Sequence, residues 1–149
     1  MEIKDLTLDI QQSVEIKGSI DEVFKAVLHR FGEGNTGPNG ESLQRQLEPF
    51  AGGRWFRDRG EGVQHLWGHV QVIKAPVLLE LSGPLFMSYP ALNHIEIKLD
   101  STGDTTKVTL RHRAVGIIEP AHRDGMAQGW QMMLDGIKND LAKAVGNGA

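Results

Sequence analysis

Either side of Gly103 and Asp104 the chain reads as two strands that can pair in only one register. With those residues as a two-residue turn, Glu96 stands opposite Arg111 and Asp100 opposite Lys107 on one face, while Ile97 meets Leu110 and Leu99 meets Val108 on the other. Charge pairing and apolar pairing agree, and a slip of one residue would reverse every side chain. The same register turns Asn93, opposite Ala114, and His112, opposite Ile95, toward the apolar face, and sends His94 outward opposite Arg113.

Beyond this hairpin, Met126, Trp130, Met133, Leu134, Ile137, Leu141 and Val145 recur at steps of three and four, the period of one helix face. The first half of that stripe is Met and Trp, soft side chains that suit the lining of an irregular or hollow interior. Gly125, Gly129 and Gly136 interrupt the same helix, each at a cost of ~1 kcal/mol relative to alanine. Such a cost points to close approach of the backbone to the sheet or to room left for a ligand.

At the other end, Leu6, Leu8, Ile10, Val14 and Ile16 alternate with Thr7, Asp9, Glu15 and Lys17 as a half-buried strand. Ser19 and Glu22 form a capping-box pattern opening a helix through about Phe31, with Ile20, Val23, Phe24, Val27 and Leu28 as its apolar face. The stretch Gly32 to Gly40 holds four glycines with Asn35, Pro38 and Asn39 and reads as a mobile loop. Strands follow from near Ser42, Gly53, Val63, Val77, Leu92 and Thr105. A hairpin turning at Ala75 and Pro76 places Leu66, Val70, Val72, Leu79 and Leu81 inward, and His65, Trp67, His69, Gln71 and Glu80 outward. The expected architecture is α+β, with about six or seven antiparallel strands curved around the terminal helix. It is expected to form a single domain over residues 1–149.

Composition excludes several classes. A chain of 149 residues buries roughly 70% of its unfolded surface, so no metal or disulfide is needed for stability. The absence of cysteine removes a thiol nucleophile, a disulfide framework and a zinc–thiolate site. A net charge of -3 gives no electrostatic reason to bind nucleic acid or an anionic membrane. No apolar run approaches a membrane span, and the acidic, alternating start is unlike a secretory signal. A cytoplasmic protein without a cofactor is therefore expected.

Four segments together resemble a known family: Glu48-Pro49-Phe50-Ala51-Gly52-Gly53-Arg54-Trp55-Phe56, Trp67-Gly68-His69-Val70, Thr106-Lys107-Val108-Thr109-Leu110-Arg111-His112-Arg113, and Gly129-Trp130 with Leu134, Ile137 and Leu141. In this order they are similar to the START-like superfamily, in the branch named for the activator of the heat-shock chaperone's ATPase. The resemblance implies a helix-grip fold, a curved antiparallel sheet around a C-terminal helix with a hydrophobic cavity between them. Members of the wider superfamily bind lipids, sterols, plant hormones or polyketides, and some are cyclases or oxygenase subunits. The glycine-rich segment departs from the branch, in which many members have a tryptophan-bearing or more helical stretch.

Three functions follow as expectations. The first is binding of a small apolar or amphipathic molecule, with Phe24, Leu28, Leu81, Met87, Trp130 and Met133 supplying apolar contact and Asn93 and His112 fixing orientation. An inward histidine can equally be satisfied within the protein. The second is the chaperone partnership that the branch name implies, on the convex face carrying His65, Trp67 and His69. The third is a cyclase or hydrolase using His112 as general acid or base. His65 and His69 do not make a metal site, since four residues of strand span ~13 Å. The Gly83 to Pro90 segment is apolar enough for a lid, an interface with a second copy, or an extension of the core. Trp55 and Phe56 are adjacent on a strand, so only one faces inward. Gly52-Gly53 reads as a tight turn or bulge entering a strand, not a phosphate loop.

Overall fold

The computed structural model describes residues 1–37 and 39–148, with side chains through residue 144. A 3₁₀ turn (Ile3–Leu6) leads into β1 (Thr7–Lys17), followed by α1 (Ile20–Phe31), β2 (Arg45–Leu47), β3 (Arg54–Asp58), β4 (Gln64–Lys74), β5 (Leu78–Gly83), β6 (Ala91–Thr102), β7 (Thr105–Gly116) and α2 (Pro120–Gly148). The strands form one antiparallel sheet in the order β1-β7-β6-β5-β4-β3-β2. After β1 the chain crosses by α1 to the far edge and meanders back until β7 lies beside β1. The sheet curves around α2, which lies against β1 and α1. This is the α+β helix-grip architecture.

The β6–β7 hairpin has the expected register at every position, including His112 opposite Ile95 and Asn93 opposite Ala114. Its charges are satisfied partly elsewhere. Arg111 reaches Asp9 on β1 with both Nε and Nη2, at 3.0 and 2.9 Å, and Glu96 lies 3.5 Å from Lys98. Ser19 caps α1 by accepting the Glu22 N–H at 3.2 Å. The stripe on α2 is buried at Met126, Trp130, Leu134 and Ile137, and half-buried at Met133 and Leu141. Val145 lies outside the described side chains.

The face assignment in β4 differs from the sequence expectation. Register slips where β4 pairs with β3, between Trp55 and Phe56, and again where it pairs with β5, between Val70 and Val72. Each slip places an extra residue on β4 and breaks strict alternation. Trp67 therefore packs into the interior beside Trp55, with ring centroids 5.4 Å apart, and Leu66 is exposed. Ile73, not Val72, stands opposite the buried Leu79. His69 is exposed, whereas His65 is half-buried with its ring 5.9 Å from that of Trp67. Trp55 takes the inward position and donates its indole N–H to the Phe31 carbonyl at 2.8 Å. Phe56 lies outside the core cluster under the Arg54 guanidinium, 4.6 Å from its ring centre.

The turn into β3 is built by its own residues. The Glu48 carboxylate accepts from the Arg54 backbone N–H and Nε, both at 2.8 Å, and from Nη2 at 3.0 Å. These bonds hold its pKa down at about 2. A side chain at Gly53 would fall inside contact distance of the Glu48 carbonyl oxygen. The glycine pair thus serves a tight turn.

Two connections close one end of the molecule. In the 83–90 segment Leu85 and Met87 are fully buried, and the Leu85 N–H donates to the Trp67 carbonyl at 2.8 Å. Leu85 and Met87 thus extend the core, while Phe86 and Tyr89 are half-buried. The glycine-rich loop bridges Thr36 to Ser42 and is pinned by Asn35, whose Nδ2 donates to the Arg30 carbonyl at 3.2 Å. Pro38 lies outside the described residues.

Candidate functional site

Between α2, Arg45 of β2, Trp67 of β4 and the 83–90 segment lies an open groove of about 700 Å³. The glycines of α2 make it. A side chain at Gly125 or Gly129 would meet nothing within 4 Å, so both mark open space on the groove side of the helix. Gly136 has the other meaning. A Cβ there would lie 2.9 Å from Arg30 Cζ, and its absence lets Arg30 donate to the Gly136 carbonyl at 3.1 Å and to Asp140 at 2.7 and 3.1 Å. That clamp joins α1 to α2.

The walls are aromatic and sulfur-bearing: Met126, Trp130 and Met133 from α2, Trp67 from β4 and Phe86 from the 83–90 segment. Their rings belong to a chain of contacts. Trp130 stacks on Phe31 at 6.2 Å, Phe31 meets Trp55 at 5.5 Å, Trp55 meets Trp67 at 5.4 Å, and Trp67 meets Phe86 at 5.7 Å. Such a wall is stiff and has large polarisable area. At the rim, Phe86 also meets His122 edge-on at 5.0 Å, and the His122 Nδ1 lies 2.7 Å from the Tyr89 hydroxyl.

Behind Trp130 lies a closed polar network. The Trp130 indole, which can only donate, donates to His112 Nδ1 at 3.0 Å. His112 therefore carries its proton on Nε2 and donates it to Asn93 Oδ1 at 2.7 Å. Asn93 Nδ2 in turn donates to the Gly83 and Pro84 carbonyls at 3.2 and 3.3 Å. Every ring nitrogen has its partner, and burial lowers the His112 pKa to about 4. The imidazole is neutral near pH 7 and acts as the support that fixes the Trp130 ring.

Different polar groups face the groove. Four buried side-chain atoms among the described residues lack a hydrogen-bond partner: Gln12 Oε1, Asn35 Oδ1, Arg45 Nε and Trp67 Nε1. Three of them belong to residues that line the groove. Arg45 is only 7% exposed, with its guanidinium carbon 3.8 Å above the Trp67 ring and 5.3 Å from Trp55. No carboxylate among the described residues pairs with it. Its cross-strand neighbour is another cation, Arg57, which spends its Nε on the Leu43 carbonyl at 2.8 Å. Burial, then Arg57, lowers the Arg45 pKa to about 10, so it stays charged at neutral pH.

Of the eight residues singled out from sequence, Trp130 and Met133 line the groove. Asn93 and His112 are fully buried behind Trp130, and Phe24, Leu81 and Met87 are packed in the core. Leu28 is half-buried and lines a neighbouring polar cleft with His29, Glu33 and Asp58, which shares Arg45 with the groove. Sequence reading missed Arg45, Asn35 and Trp67 as groove residues. Trp67 was hidden by the β4 bulges, and nothing in a three-residue strand marks Arg45 as inward. Among the described residues no group of three metal-ligating side chains converges, and no helix is long and apolar enough to cross a membrane.

A family model described as Activator of Hsp90 ATPase homolog 1-like protein matches residues 39–142. Comparison with curated protein sequences gives no match. Among solved structures, an uncharacterised protein from Rhizobium leguminosarum is similar at 17% identity and a TM-score of 0.68, over 92% of this chain and 97% of that one. CalU16 from Micromonospora echinospora is similar at 19% identity and a TM-score of 0.59, over 91% of this chain and 73% of that one. The di-domain ARO/CYC StfQ from the steffimycin biosynthetic pathway has a TM-score of 0.64 at 12% identity, over 97% of this chain and 53% of that one. At these identities the likeness concerns the fold.

Proposed function

The chain belongs to the Activator of Hsp90 ATPase homolog 1-like family, and from that premise we propose that it binds a small apolar or amphipathic organic molecule in the groove beside α2. The observation that carries this reading is the groove itself, an aromatic and methionine-lined hollow opened by Gly125 and Gly129. A helix interior gains ~1 kcal/mol from alanine in place of glycine, so two glycines facing open space give up stability for volume. Soft, stacked aromatic and sulfur-bearing walls suit organic ligands of varied outline. That StfQ, named for a biosynthetic pathway, shares the fold is in keeping with this reading.

Gly129→Leu tests it. A Cβ at this position meets nothing within 4 Å and the rest of the side chain extends over the open groove, so the protein should fold and gain about 1 kcal/mol in helix propensity, while thermal shifts produced by a panel of lipids, aromatics and polyketide-like compounds disappear. Shifts that survive in the variant would place binding elsewhere, and a panel without any shift in the parent protein would overturn the reading.

The alternatives draw less support. A chaperone-docking surface on the convex face loses its aromatic anchor, because Trp67 lies inside. General acid–base work by His112 has neither a free ring nitrogen nor a place on the groove wall.

A further inference from the structure

Resting on the groove as the binding site, we infer that its ligand is an organic anion, an apolar body carrying one acidic group that meets the Arg45 guanidinium. The apolar body would lie along Trp130, Met126 and Phe86, and the acidic group would point toward the β2 end, where Arg45 stands on Trp67.

A buried cation without a counter-charge is costly to a fold. Here the cost is compounded, since Arg57 stands directly across the strand pair and like charges in that position repel. Arg30, the other arginine on the groove wall, is already neutralised by Asp140, and the carboxylate on that wall, Asp135, accepts from Gln131 at 3.0 Å and makes no ion pair with Arg45. Arg45 has only the faces of two indoles, which attract a cation but leave its buried Nε–H without an acceptor. The indole N–H of Trp67 is a second buried donor without a partner beside it. Two donors and an unbalanced positive charge on one wall call for an oxygen anion, and a guanidinium offers such a group paired N–H bonds. Asn35 adds complementarity of the opposite kind. Its amide nitrogen is committed to Arg30 and Met133, so its Oδ1, which has no partner within the protein, is available to a ligand donor such as a hydroxyl.

Two fluorescent probes of nearly the same outline separate charge from shape: anionic anilinonaphthalene sulfonate and uncharged N-phenylnaphthylamine. The full chain should bind the anion at least about tenfold more tightly, as a desolvated charge-assisted contact provides. Arg45→Met should bring the two affinities within about threefold by weakening only the anion, without lowering the melting temperature, because a buried unpaired charge gives way to an apolar side chain of similar length. Trp67→Phe removes the N–H together with the pyrrole half of the indole. It should weaken the anion about threefold more than the neutral probe, and it carries the test if the Arg45 variant does not fold, equal weakening of both probes counting against the inference. Equal binding of both probes to the parent protein would overturn the inference and leave the groove standing. Equal weakening of both probes in the folded Arg45 variant would make the cation structural and overturn it as well. Failure of both probes to bind the parent protein would overturn the groove reading and this inference together.

Discussion

His112 shows how one residue can look catalytic in sequence and prove structural. It is fully buried, donates to Asn93 and accepts from Trp130, and has its pKa lowered by burial to about 4. A histidine held neutral in the fold contributes stability that is complete above the unfolded pKa of ~6.5 and is lost as pH falls through that value toward the folded one. Between pH 7 and pH 4.5 this group alone should cost about 2–3 kcal/mol of unfolding free energy. His112→Gln offers a donor and an acceptor without a titration, so denaturant unfolding of parent and variant should converge as pH is lowered through that window. Curves that stay parallel would mean that the imidazole protonates without penalty. The inward direction of His112 was legible because its hairpin is fixed by two independent patterns. Its bond to Trp130 was not, nor were the Gly83 and Pro84 carbonyls that hold its other partner, Asn93, since these come from segments whose approach no local pattern encodes.

At the scale of elements, the β3 turn and the β4 strand mark where sequence reading succeeds and where it stops. The Gly52-Gly53 pair reads as a turn because glycines before a strand have that general use, and the structure supplies the reason: Gly53 sits against the Glu48 backbone. Gly53→Ala should therefore destabilise the fold by about 2–4 kcal/mol, in the range of backbone clashes that cannot relax. Gly129→Ala, on open helix surface, should instead stabilise by ~1 kcal/mol. Thermal unfolding of the two variants side by side checks both signs, and a Gly53 variant as stable as the parent protein would refute the steric account. In β4 the period-two pattern fails because two bulges intervene, and bulges follow from how neighbouring strands pair. Strict alternation consequently puts Leu66 and Val72 inward and Trp67 outward, each opposite to its position in the fold. Arg45 was invisible for a related reason. A charged side chain in a short strand reads as solvent-facing, and only the opposition of Leu47 to the inward Trp55 turns that face into the interior.

For the molecule as a whole, α2 is both the plug of the sheet and one wall of the groove, and its two halves divide those tasks. Leu134 and Ile137 are completely buried against the concave face, whereas Gly125 and Gly129 face the hollow. Burial of Met126, Trp130, Leu134 and Ile137 is worth roughly 6–12 kcal/mol, comparable with the whole net stability of a domain, about 5–15 kcal/mol. The sheet should not hold without that contribution, because the apolar side chains that α2 covers beside β1 and α1 would meet water. A chain ending at residue 118 should accordingly show no cooperative thermal transition and should aggregate on heating, while the full chain unfolds in one step, as calorimetry would record. If the truncated chain retained a sharp transition, the sheet would hold its own core and α2 would serve the groove alone. The expected dependence also couples binding to folding. A ligand seated on Trp130 and Met133 contacts the same helix that completes the core, so its affinity adds directly to global stability, and thermal shift reports occupancy of the groove.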